Sequence, residues 1–178
     1  MINVSFAYPE GRRKCTRPIF PFKAEKGETI AVDRKLPEAV RSTLINLIPR
    51  FYDVTKGRVL VDGVDVRDMT QREVRDRLGY VPQRGILFSG TIDSNIRYGK
   101  TDISAEEVKE AAEVAQATEF IDTKPETYNS PIAQGGTNVS GGQKQRLSIA
   151  RAIAKKPEIF IFDDSFSALD FKNRQYFA

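Results

Sequence analysis

The run VSGGQKQR at residues 139–146, followed at helical distance by the apolar stretch IFIF of Ile159–Phe162 and then by Asp163 and Asp164, limits the fold more than any other part of the chain. A Ser-Gly-Gly turn opening onto a helix presents backbone N–H groups and a hydroxyl with little side-chain obstruction, which suits an anion at a helix N-terminus. The apolar stretch reads as a strand buried on both faces. Such a strand delivers its two carboxylates at its carboxyl end, where open α/β sheets bind ligands. The pairing predicts a phosphate clamp near a Mg²⁺ site.

Length and composition narrow the reading. A chain of 178 residues can enclose one core and is too short for two full domains. No apolar run approaches membrane-spanning length, and the first residues lack the charged-then-apolar pattern of a secretion signal, so the expectation is a soluble, cytoplasmic polypeptide. Cys15 is the single cysteine and histidine is absent, which argues against a disulfide framework, a thiolate metal site or an imidazole base. The net charge of +4 is spread along the chain rather than gathered into a basic stripe, so no nucleic-acid partner is expected.

With these motifs in view, the chain resembles the nucleotide-binding domain of an ABC transporter, and more narrowly that of an exporter. VSGGQ is close to the family's LSGGQ signature, IFIFDD resembles the Walker B strand, and SALD at 167–170 resembles the D-loop that follows it. The resemblance implies an α/β fold: a P-loop NTPase-like (ABC ATPase) core with a small antiparallel β-subdomain and an α-helical subdomain, incomplete at the C-terminus. Residues 1–83 and 157–178 would form the core with the β-subdomain, and 84–156 the helical subdomain with the signature helix. It implies ATP and Mg²⁺ as ligands. In this family two domains pair head to tail, so Ser140, Gly141, Gly142 and Gln143, with Asp170 of the D-loop, would face a triphosphate held by the other domain. The remaining implied partner is the membrane domain of an exporter, which places the chain at the cytoplasmic face of the cell membrane.

Residues 1–7 alternate as a strand does, and Tyr8-Pro9-Glu10-Gly11 reads as a turn. The resemblance makes Tyr8 the candidate for stacking on adenine. Residues 26–32 read as a turn into a buried strand, which in the family runs straight into the phosphate-binding loop. Here the pattern breaks. A P-loop needs G-x-x-x-x-G-K-[ST], because backbone N–H groups must curl around a phosphate and a Cβ at the glycines obstructs them. This chain has DRKLPEAVR before Ser42: Arg41 stands where the lysine belongs, Val40 and Lys35 where the glycines belong, and Pro37 removes one N–H. Arg41, Ser42 and Thr43 remain the candidates on the phosphate side.

Back-translation gives an account of the break. Residues 33–42 can be encoded so that deleting a few single bases restores Ile-Gly-Ser-Thr-Gly-Ser-Gly-Lys-Ser, a complete P-loop. The same exercise on residues 11–22 recovers a family-like lead-in, and one deletion past Lys172 recovers family-like sequence after the D-loop. The reading is that small insertions interrupt the frame, and the codons of the coding DNA test it. Deliberate redesign of the loop is the alternative.

From Ser42 onward the pattern resumes. Residues 42–48 have the apolar spacing of a helix packed on a sheet. Residues 57–62 and 64–67 flank Asp62-Gly63, which predicts a hairpin. Residues 78–83 read as a short strand ending at Gln83, which corresponds to the family's Q-loop glutamine near Mg²⁺ and the attacking water. The following FSGTI at 88–92, with Asn95-Ile96, is exporter-like. Residues 104–117 predict a helix capped by Ser104 or Asp102, and 117–121 a second one.

By the resemblance, Ser42, Gln83 and Asp163 would hold Mg²⁺, and Asp164 with Gln83 would act on the attacking water. Active members carry glutamate at the position of Asp164. One methylene fewer leaves the carboxylate ~1.5 Å short, and misplacement on that scale costs on the order of 10²-fold in rate. The expectation is therefore an ATP-binding subunit of an exporter that powers efflux, impaired in its own ATP binding and turnover, or a non-catalytic partner of an intact domain.

Overall fold

A computed structural model describes residues 2–6, 22–32, 38–100 and 102–165. Two compact units divide between Arg77 and Leu78.

In the first unit, β1 (Ile2–Ser5) pairs antiparallel with β2 (Lys56–Arg58), Ile2 opposite Arg58 and Ser5 opposite Lys56 with an irregularity between. Thr55 closes the pairing: its N–H and its hydroxyl both donate to the Ser5 carbonyl, at 3.0 and 2.8 Å. The strands β3 (Leu60–Val61) and β4 (Val64–Asp65) form the predicted hairpin. Its two turn residues, Asp62 and Gly63, sit at φ 50° and 82°. Positive φ at both turn positions matches the right-handed twist of the strands, and Asp-Gly reaches it at little steric cost. The expected antiparallel β-subdomain is present.

The first helix, α1, spans Glu38–Leu47, longer at its N-terminal end than the predicted 42–48. Glutamate and alanine, the residues at its first two positions, are strong helix formers, which favours a start ahead of Ser42. Leu44 and Leu47 are buried, as are Val4, Phe6, Val54, Val59, Val61, Val66 and Val74 of the same unit. A second helix, α2 (Gln71–Asp76), is opened by a reciprocal capping box between Thr70 and Glu73. Arg50 ties the unit together, donating to the carbonyls of Val66 (3.1 Å) and Met69 (2.7 Å) and pairing with Asp53 at 2.8 Å.

The expected buried strand through 28–32 is not found: these residues form no strand and have no ladder partner among the described residues, and Ile30 is exposed. Three apolar residues beside Lys26, Glu28 and Asp33 bury too little area to offset the ordering of a segment that makes no sheet bonds.

The second unit begins with β5 (Leu78–Val81) and β6 (Gly90–Thr91), followed by α3 (Ile92–Ile96), α4 (Ala105–Val114) and α5 (Thr118–Asp122). Then come β7 (Pro131–Ile132), α6 (Gly141–Ala154) and β8 (Ile159–Phe162). The predicted second helix is present as α5, and of the two capping candidates for α4 it is Ser104 that caps. β5 and β8 run parallel with Leu78, Gly79, Tyr80 and Val81 opposite Ile159, Phe160, Ile161 and Phe162. β6 and β7 pair antiparallel. α6 packs against α3, α4 and β5. One core runs through Val81, Leu87, Ile92, Ile96, Val108, Ile121, Leu147 and Ile149.

The strand β8 departs from its predicted burial on both faces. Ile161 is 7% exposed, but Ile159 and Phe160 are 36% and 44% exposed. Among the described residues β5 is its one ladder partner, and a two-stranded ribbon covers less of each strand face than a wide sheet.

Candidate functional site

Parallel pairing of β5 and β8 brings the ends of both strands to the same edge, so the segment after β5 carrying Gln83 and the segment after β8 carrying Asp163 and Asp164 are neighbours. The Val81 carbonyl accepts from the Asp163 N–H at 3.0 Å and from the Ser165 hydroxyl at 2.7 Å. One residue on, the Pro82 carbonyl accepts from Nε2 of Gln145 on α6 at 3.0 Å. Two separate stretches of sequence, one through Gln145 and one through Asp163 and Ser165, thus converge on the carbonyls of Val81, the last residue of β5, and of Pro82, the residue after it.

Asp163 is half-buried and Asp164 is exposed, with Asp164 in the left-handed region at φ 45°. Aspartate is among the side chains that tolerate this region. The Tyr80 hydroxyl donates to Oδ2 of Asp163 at 3.4 Å. Burial pushes the Tyr80 phenol up to about 12, and the adjacent Asp163 carboxylate reinforces the shift. Tyr80 therefore stays protonated at neutral pH and keeps its proton directed at the carboxylate.

Ser140 is the N-cap of α6. Its Oγ accepts from the Gln143 N–H at 3.2 Å, and Oε1 of Gln143 accepts from the Ser140 N–H at 3.0 Å. This reciprocal box satisfies two polar groups and leaves the N–H groups of Gly141 and Gly142 at the positive end of a 14-residue helix. At Gly141 a Cβ would meet nothing within 4 Å, so the approach to the helix start is open. The arrangement fits an anion, as its sequence predicts.

Arg41, Ser42 and Thr43 lie on α1 in the other unit. Because α1 begins at Glu38, the N–H groups of Ser42 and Thr43 fall inside the helical ladder and not among the free groups of its first turn. The described residues of this segment do not fit a phosphate cradle, and no chemistry is derived through one. For Mg²⁺ the donor set is suitable: the ion takes hard oxygens and binds through one or two carboxylates, which Asp163 and Asp164 offer. No group of three acidic or other ligating side chains gathers among the described residues, so protein ligands alone would not complete a metal shell. Tyr8 and Asp170 lie outside the described residues, as do residues 33–37 of the altered stretch.

Sequence reading missed several residues that build the site. Gln145 stands in the polar run GGQKQR, where nothing marks it as 1% exposed. Asn95, equally buried, anchors the loop after Gln83. Its Oδ1 accepts from the Phe88 N–H and from Nη2 of Arg151, both at 2.9 Å, and its Nδ2 donates to the carbonyls of Phe88 (2.8 Å) and Thr91 (2.9 Å). Arg151 stacks its guanidinium over Phe88 and Tyr98 at 5.2 and 5.4 Å. Burial lowers its pKa to about 10, which still leaves it charged at neutral pH.

Comparison with known proteins adds to this geometry. The family described as ABC transporter matches residues 41–167, a match that begins at the last residue of the altered stretch DRKLPEAVR. "Putative multidrug export ATP-binding/permease protein YgaD" of Bacillus subtilis is 45% identical over 174 residues, covering 98% of this chain and 30% of that protein. The "Uncharacterized ABC transporter ATP-binding protein YfiB" of the same organism is 46% identical over 168 residues, covering 94% of this chain and 29% of its own length. The chain thus spans about a third or less of the curated relatives it matches. Among solved structures, that of a bacterial Atm1-family ABC exporter with ATP bound superposes with a TM-score of 0.73 at 43% identity, over 76% of this chain and 24% of that one.

Proposed function

This chain belongs to the ABC transporter family as an ATP-binding domain of exporter type, and from that premise we propose that it supplies the signature half of an ATP site while its own nucleotide capture is impaired. The observation that carries the reading is a contrast between two helix starts. α6 opens with free glycine N–H groups, an intact cap and open space. α1 opens at an acidic residue a turn ahead of Ser42.

In this proposal Ser140, Gly141, Gly142 and Gln143, with Asp170, meet the triphosphate held by a second nucleotide-binding domain. Asp163 would hold Mg²⁺ together with Gln83, and Tyr80 keeps the Asp163 carboxylate oriented. Asp164 and Gln83 orient water. Tyr8 stacks on adenine, while Arg41, Ser42 and Thr43 are what remains of the phosphate side. Bound ATP would supply the reactive phosphoanhydride. Residues 1–83 and 157–178 act as core with β-subdomain, and 84–156 as helical subdomain. The membrane domain of an exporter is the further partner, at the cytoplasmic face of the membrane. No helix among the described residues is long and apolar enough to cross a membrane. No role for nucleic acid is proposed.

Mixing the chain with an intact exporter nucleotide-binding domain tests the proposal. Analytical ultracentrifugation should show a mixed pair that forms with ATP, and Gly141→Asp, which puts a carboxylate at the anion-facing helix start, should abolish it. Absence of any ATP-dependent association by the unaltered chain would overturn the reading.

A further inference from the structure

We propose that Gln145 is a positioning residue: it fastens the loop 82–85, and with it Gln83, to the first turns of α6, so that Gln83 and the anion-facing start at Ser140 and Gly141 move as one body. The role assigned to Gln83 rests on the function proposed above; the mechanical tie does not.

The tie is built from two contacts. Pro82 has no N–H, so its carbonyl is the loop's available handle at that position. That carbonyl accepts from Nε2 of Gln145 at 3.0 Å, from a side chain only 1% exposed. Three residues further on, Gly85 presses its Cα face against the backbone of the same helix turn. A Cβ there would lie 2.6 Å from the Lys144 carbonyl oxygen and 2.9 Å from the Gln145 nitrogen. No side chain larger than hydrogen fits without moving the loop off the helix. Gln83 lies between these two points of attachment.

The same helix also grips the continuation of the loop. Arg151, later on α6, donates to the Ile86 carbonyl at 2.9 Å and to the Asn95 carbonyl at 2.8 Å. The loop is held at Pro82, Gly85 and Ile86 by one rigid element. On its other side the Ser165 hydroxyl, 0% exposed, holds the Val81 carbonyl. A displacement of α6 by an anion at its N-terminus is therefore passed to Gln83 through the hydrogen bond of the buried Gln145 side chain and a close backbone contact at Gly85.

Backbone ¹⁵N order parameters of residues 83–86 in the full chain, without nucleotide, test the tie, each variant being compared with the parent at the same pH. Gln145→Met removes the donor at nearly constant volume, and the order parameters of 83–86 should fall from the rigid range of ~0.85 to below ~0.6. Gln145→Glu should behave the same way at pH 8, where a carboxylate faces the Pro82 carbonyl. It should return towards the parent at pH 5, because burial raises a carboxyl above its ordinary value and the neutral acid can donate. Ser148→Ala, on the same helix and equally buried, has no hydrogen-bond partner among the described residues to lose and should leave 83–86 unchanged.

Parent-like order parameters in Gln145→Met, or a Gln145→Glu response independent of pH, would overturn the proposal. If Gln145→Glu does not fold at pH 8, Gln145→Met decides. Because no nucleotide enters the measurement, its failure leaves the proposed function standing, and loss of that function leaves the tie standing.

Discussion

At the scale of single residues, the polar side chains with the largest structural effect are buried, satisfied and shared between segments. Asn95 is the clearest case: its amide makes four contacts, to the backbone of Phe88 and Thr91 and to Arg151. Removing it strands the Phe88 N–H and two carbonyls away from water, and each unsatisfied buried group costs ~1–3 kcal/mol. Asn95→Ala should therefore lower the unfolding free energy by ~2–4 kcal/mol in a urea titration, well above an ordinary surface change. Asn95→Asp should recover only part of this loss, because a carboxylate accepts from Phe88 and Arg151 but donates to neither carbonyl.

At the scale of elements, two helices of the second unit are joined at their ends by charge. Glu107, in the first turn of α4, accepts from Nζ of Lys156, just past α6, at 2.6 Å and from the Ser104 N–H at 2.7 Å. Lys156 first, and the Ser104 backbone second, hold its carboxyl down at about 2 against an ordinary 4.5. A depressed folded value means that the contribution is present above the unfolded pKa and lost as pH falls towards 2. Unfolding midpoints of the parent and Lys156→Met should therefore differ near pH 5 and converge near pH 2. A constant difference across that range would contradict the assignment. Local chemistry made some elements legible and left others hidden. Ser140 and Ser104 declared their helices because a cap and its partner three residues on are a short-range pattern. Thr70 and Glu73 carry the same pattern, yet α2 was not predicted, because it is only six residues long and has little apolar periodicity. The strand expected at 28–32 was misread because an apolar run cannot reveal whether a ladder partner is at hand. β8 was predicted as a strand but not with its partial exposure, for the same reason. Gln145 was invisible for a different cause: burial of a polar residue depends on what packs over it, and periodicity marks only apolar faces.

At the scale of the whole molecule, the account is one of unequal halves. The second unit keeps a signature helix start, a loop bearing Gln83 and a carboxylate pair, all fastened to the same strand end. The first unit keeps a hairpin and a helix but begins that helix at Glu38. The name of YgaD combines ATP-binding and permease functions, and this chain covers 30% of its length. Whether the altered loop arose through shifts of reading frame is answered by the coding DNA, whose codons should re-phase to a complete P-loop if they did. The most direct test is the rate of ATP hydrolysis by the purified chain, alone and in the Asp163→Asn variant. The account predicts no turnover above background in either; turnover by the unaltered chain that disappears in Asp163→Asn would contradict it.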